Sequence, residues 1–167
     1  SELRIVLPRL EDRCIDTQVK ALSSGQMGML TTAQVEALTT LQAKVLSATQ
    51  VAGLSTTQLG ALETADLQAL SALAVKGFSS SQMTALSSDQ VVALTTAQLV
   101  ALKTAQVATL ATDDLQALTT KQLVSLTTAQ LMSMTTDQVA ALTTDQIVSL
   151  LTKQVAGMTA AQVVSLT

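Results

Sequence analysis

The chain has no histidine, tryptophan or tyrosine, and only one phenylalanine, one proline and one cysteine in 167 residues. Each absence excludes something. Without histidine, the zinc clusters built from Cys and His are out of reach, and so is a nucleophile activated by an imidazole base. A lone cysteine, Cys14, cannot close a disulfide within the chain. It reads as a small, partly buried apolar residue; a reactive thiol or an intermolecular disulfide is the sharper alternative. Charged residues are only 13% of the chain and sum to −3, which argues against a nucleic-acid backbone as partner, since that would call for a basic face. No stretch of about 18 mostly apolar residues occurs, which argues against a membrane span. The opening Ser1–Pro8 lacks a basic segment followed by a long apolar core, so no signal peptide is read there. A first residue that is Ser1 rather than Met suggests a chain processed or cut from something longer.

What remains is Ala, Leu, Val, Thr, Ser and Gln, arranged with a period of eight. From Ile15 to Leu166 the frame runs through 19 blocks without insertion or deletion. Position 8 is always large and apolar, from Leu22 and Leu30 through Phe78 and Met134 to Leu166. Position 5 is Val, Leu, Met or Ile except at Ala43, and position 7 is nearly always small, as at Ala37, Gly53, Ala93 and Ser149. Position 4 is Gln in 16 of the 19 blocks, the exceptions being Asp66, Ala74 and Asp114. Position 1 is Ser or Thr in 14 of them. No charge falls at positions 5, 7 or 8, so these three are expected in a core, with positions 2, 3 and 6 in water.

A period of eight does not suit one long helix. At about 100° per residue an apolar stripe would drift by about 80° per block and circle the helix; heptads work because their drift is small. It does not suit a β-solenoid either, because positions 5, 7 and 8 do not alternate and Asn, Asp or Gly corners are mostly missing. It does suit a helix that restarts. Thr-x-x-Gln is a capping box, in which the hydroxyl of the first residue accepts the N3 amide while the N3 Gln reaches back to the N-cap amide. Leu94 with Leu99, and Leu126 with Leu131, stand at the spacing of a hydrophobic staple. Asp89, Asp113, Asp137 and Asp145 fall in the first turn and Lys20, Lys44 and Lys76 late, as the helix dipole prefers; Lys103, Lys121 and Lys153 run against it.

The expected fold is therefore all-α: a compact α-solenoid of about 19 eight-residue short-helix repeats over residues 15–167. One block cannot offset the entropy of ordering its own backbone, so neighbouring blocks must cover it. Residues 1–14 break the pattern and read as an N-terminal cap or the end of a preceding segment. Nothing comparable follows Leu166, so that end should meet further repeats, a second copy or another subunit. Two blocks are irregular. Thr39–Leu46 puts Leu41 and Val45 where polar or small residues are usual, and Ser71–Phe78 lacks the Gln and exposes Leu73; drift, a bend or a docking spot would each account for this.

The unit Leu-Thr-Thr-Ala-Gln-Val-x-Ala-Leu, clearest at Thr31–Leu38, Thr95–Leu102 and Thr135–Leu142, resembles the repeats of very large bacterial surface or secreted proteins, many of them named for haem utilisation or adhesion. The resemblance spans Ile15 to Thr167. It implies an extracellular structural role as scaffold, stalk or filament. The haem part of the name does not carry over, because the usual axial ligands His and Tyr are absent and the methionines mostly occupy core positions.

No catalytic, cofactor or metal residue is assigned, and the chain is expected not to be an enzyme. The position 1 hydroxyls are spent as caps. Asp113–Asp114 is the one tight acidic pair in the array; a solvated helix start is the plain reading and a weak calcium site the sharper one. Protein is the expected partner, with no nucleic acid and no membrane span. Two other classes stand beside the scaffold: a protein-binding solenoid reading a partner along positions 3 and 6, which lack aromatic or Arg anchors, and an ice- or crystal-surface binder using the Thr at position 2.

Overall fold

A computed structural model describes the chain over residues 14–166. The cap expected over residues 1–14 and the environment of the Cys14 thiol lie outside the described residues, although Cys14 opens the first helix. Nineteen short helices follow one another among the described residues, one for each block and with no strand between them. The sequence-based expectation of an all-α repeat solenoid is met.

The blocks begin as their sequence dictates. In α11 (Thr96–Ala101) the Thr95 hydroxyl accepts the Gln98 amide at 3.2 Å, and the Gln98 side-chain oxygen accepts the Thr95 amide at 2.8 Å. The same box closes at Thr31, Ser47, Ser79, Thr127 and Thr143, among others. Lys103 and Leu151 have no side-chain acceptor, so only half a box forms there: each amide still donates to the following Gln, at 2.6 and 2.9 Å. Helices of this length cannot persist alone in water; they exist because they pack.

Six helices, α11 among them, run directly into two extended residues. Leu102 stands at φ −57° and ψ 144°, and the N-cap that follows, Lys103, at φ −70° and ψ 152°. No described residue has a positive φ. Extended backbone is open to Leu and Thr, so the eighteen corners between the nineteen helices need no residue of positive φ and the chain has no asparagine.

Each helix packs on the third helix after it, so three blocks make one turn and the coil has three faces. The first face stacks α1 (Cys14–Ala21), α4 (Thr40–Lys44), α7 (Thr64–Ala69), α10 (Ser88–Ala93), α13 (Thr112–Ala117), α16 (Thr136–Ala140) and α19 (Ala160–Val164). The second stacks α2 (Ser24–Gly28), α5 (Ala48–Ala52), α8 (Ala72–Val75), α11, α14 (Thr120–Ser125) and α17 (Thr144–Ser149). The third stacks α3 (Thr32–Glu36), α6 (Thr56–Gly60), α9 (Ser80–Thr84), α12 (Thr104–Val107), α15 (Thr128–Met132) and α18 (Thr152–Ala156).

Positions 5 and 8 fill the interior as expected. Leu59, Leu67, Leu99, Leu115 and Leu123 are fully buried, and Leu62, Leu70, Leu94 and Leu126 nearly so. Each such leucine contributes about 1.5–3 kcal/mol by leaving water. Position 7 corrects the sequence reading. It is not a core position: Ala37 and Ala85 are exposed, and Ala69 and Ala101 only half-buried. It lies on the seam between turns, against the start of the helix one turn below. A Cβ on Gly53 would stand 2.2 Å from the Ser24 carbonyl oxygen, and one on Gly77 would stand 2.1 Å from that of Ala48. Small residues sit here because backbones approach closely, which leaves the same absence of charge that burial would.

Candidate functional site

The feature that organises the molecule is position 4. It is buried: Gln42, Gln50, Gln58, Gln82, Gln98 and their successors to Gln162 are nine-tenths or more out of water. A buried amide must find partners, and capping uses only its oxygen. The nitrogen donates across the seam to the turn below. Gln98 Nε2 donates to the carbonyls of Leu67 at 2.7 Å and Leu70 at 2.8 Å. Gln130 repeats this with Leu99 and Leu102 at 2.7 and 2.8 Å, and Gln162 with Leu131 and Met134 at 2.9 and 2.8 Å. Twelve glutamines from Gln50 to Gln162 bond the turn below them in this way; Gln58 reaches Met27 and Leu30.

The position 8 acceptor, such as the Leu70 carbonyl, takes no backbone amide and is one of the carbonyls a helix end leaves over, whereas the position 5 acceptor, such as Leu67, is shared with the amide of Leu70. One side chain therefore caps the start of its own helix and the end of another. The sequence displays the first role, because both partners lie three residues apart. It hides the second, because the acceptors lie 28 and 31 residues back. The signal that could have found it was the near invariance of Gln at a position where Glu would cap as well: an amide accepts and donates at once, whereas an ionised carboxylate only accepts.

The three exceptions interrupt this ladder. Ala74 supplies neither bond. Asp114 is buried and accepts the Ser88 hydroxyl at 2.7 Å, while its neighbour Asp113 is exposed. The pair considered for calcium thus diverges, one carboxylate into the seam and one into water. Asp66 is buried too, and its Oδ2 has no hydrogen-bond partner. Burial pushes the Asp66 carboxyl above its ordinary pKa, and the neighbouring Glu63 adds to the rise. Among the described residues no group of three or more His, Cys, Asp or Glu side chains comes together.

The outer faces carry short side chains. Leu41 and Leu73 are exposed, as expected, and Val45 is half-buried. Val100 and Val148 stand out on the second face with the half-buried Val124 between them, one per turn. Position 2 sits under the next turn: Thr128 Cγ2 would lie 2.1 Å from a Cβ on Gly157, and the Ser133 hydroxyl donates to the Thr104 carbonyl. Other position 2 threonines, Thr56, Thr64, Thr120 and Thr136 among them, are exposed. No described helix is long and apolar enough to cross a membrane.

A family model for the ALTTAQ repeat matches residues 59–96, 95–128, 107–144 and 120–152, together more than half of the chain. No curated protein and no solved structure matches it.

Proposed function

Because the chain belongs to the ALTTAQ repeat family, we propose that it is a non-catalytic scaffold: a rod that sets distance in an extracellular bacterial assembly such as a stalk, filament or adhesion structure. The observation that carries this reading is the glutamine ladder. Twelve glutamines each hold the turn below through two carbonyls, at positions 5 and 8 as for Gln98, Gln130 and Gln162, or at positions 6 and 8 as for Gln122 and Gln154. An array of this kind extends by repetition, with stability summed over neighbouring units. The short outer side chains and the hydroxyls spent on caps suit a spacer better than a catalyst.

The seam is also a ready means of assembly. In the last described turn Val155 and Val163 are 44% and 47% exposed, where the same position is fully buried at Val107 and Val139. Further repeats or a second copy would cover them by the contacts already used inside. Inserting three consensus blocks should lengthen the rod by about 8–10 Å, the usual spacing of packed helices, as read by small-angle scattering. A particle that widens instead would sink the rod. Antibody against the repeat should label intact cells or their medium; label appearing only after permeabilisation would overturn the extracellular placement.

A further inference from the structure

Asp66 is the one buried side chain in the seam, among the described residues, with an unpartnered oxygen. By register it stands over the α3–α4 corner, where a glutamine would donate to the carbonyls of Val35 and Leu38 as Gln90 does to Leu59 and Leu62 one turn on. No glutamine reaches those two carbonyls. An ionised carboxyl can only accept hydrogen bonds, whereas a protonated one carries an O–H donor. Asp114, two turns along the same column, takes a hydroxyl from Ser88; Thr40 stands in the matching place for Asp66 and makes no bond to it. The N-cap is missing as well, since Glu63 offers no side-chain bond to its helix.

We propose that Asp66 is a proton-binding joint: in its neutral form it donates across the seam to the α3–α4 corner and closes it, and on ionising it loosens the α6–α7 corner. The charged groups around it are few. Glu63 lies on its own corner, Lys44 on α4 and Asp89 on α10 below and above, and Glu36 on α3; α6 carries none. No ion pair reaches Asp66. With no histidine in the chain, the usual switch near neutral pH is missing; at this joint the titrating group is a carboxyl whose pKa burial raises. Its folded pKa lies above the unfolded 3.8, so its stabilising contribution is full below that value and is lost as pH rises through the folded pKa. The joint works wherever the rod resides.

The test uses the full chain with Asp66→Gln, which restores the ladder donor, and Asp66→Asn, which keeps the size and cannot ionise. Melting temperatures are compared at pH 4 and pH 7. Both variants should gain on the wild type as pH rises, and the Asp66 carboxyl carbon, followed by NMR, should titrate above the ordinary aspartate range. A gap that stays constant or narrows towards pH 7, or a carboxyl that titrates at or below the ordinary range, would overturn the proposal.

Discussion

The turn Glu63–Leu86 and the turn Thr119–Leu142 have the same interior and different seams. Leu67, Val75 and Met83 are as fully buried in the first as Leu123 and Val139 are in the second, and Phe78 fits where Met134 does. Yet the second turn has three position 1 hydroxyls and three ladder glutamines, Gln122, Gln130 and Gln138. The first has Glu63 and Ser71 with Asp66 and Ala74, and only Ser79 with Gln82 is complete. With the interior kept, a turn of this coil forms on a reduced set of polar bonds, those of Ser71, Gln82 and the glutamines Gln98 and Gln106 of the next turn. The polar seam adds stability and holds register, and a long array tolerates an interrupted step because its neighbours keep theirs.

The comparison can be broken hardest from the inside. Leu102 is buried and Val100, two residues away, is 44% exposed. Leu102→Asp should cost about 4 kcal/mol or more by burying an unpaired charge, while Val100→Asp should stay within about 0.5 kcal/mol. Thermal or denaturant melts decide this, and equal tolerance at both sites would show that position 8 does not carry the core.

Next comes the seam itself. Gln130→Ala removes two bonds to Leu99 and Leu102 and strands the Thr127 amide, a loss of about 2–4 kcal/mol. Ala74→Gln should do the reverse, offering donors to the carbonyls of Ala43 and Leu46, with a gain of about 1 kcal/mol. If denaturant titrations find Ala74→Gln no more stable than the parent, the two turns differ in more than their ladders.

The smallest effects belong to the caps. Thr127→Ala should lose about 1 kcal/mol and Glu63→Thr should gain a comparable amount. Amide exchange in α15 and α7 would localise both. A loss at Thr127 spread evenly over the rod would mean that the cap is coupled through the ladder rather than acting on its own helix.

Much of this was legible in the sequence because its physics is local. Thr95 and Gln98 cap each other across three residues, and Leu94 precedes them as the staple requires. The Leu at position 8 and the Val or Leu at position 5 announce burial by lacking charge in every block. The same inference failed at position 7. Ala and Gly are uncharged there because Gly53 and Gly77 pass the backbones of Ser24 and Ala48, and composition cannot separate close approach from burial. It also left out position 4, since a glutamine already explained as a cap gave no reason to bury it.

Residue order by itself determined where the capped helices begin, that the large apolar residues of positions 5 and 8 face inward and that the chain must coil, because these depend on hydrogen bonds and side-chain periodicity within one block. Only the tertiary structure decided that three blocks close a turn. That number is the sum of three corners, whose backbone dihedrals no single side chain dictates. Once the turn closes, Gln98 comes under the reach of carbonyls 28 and 31 residues behind it. The meaning of Asp66 arises the same way: its missing partners lie a whole turn away, in a contact that exists only after the coil has formed.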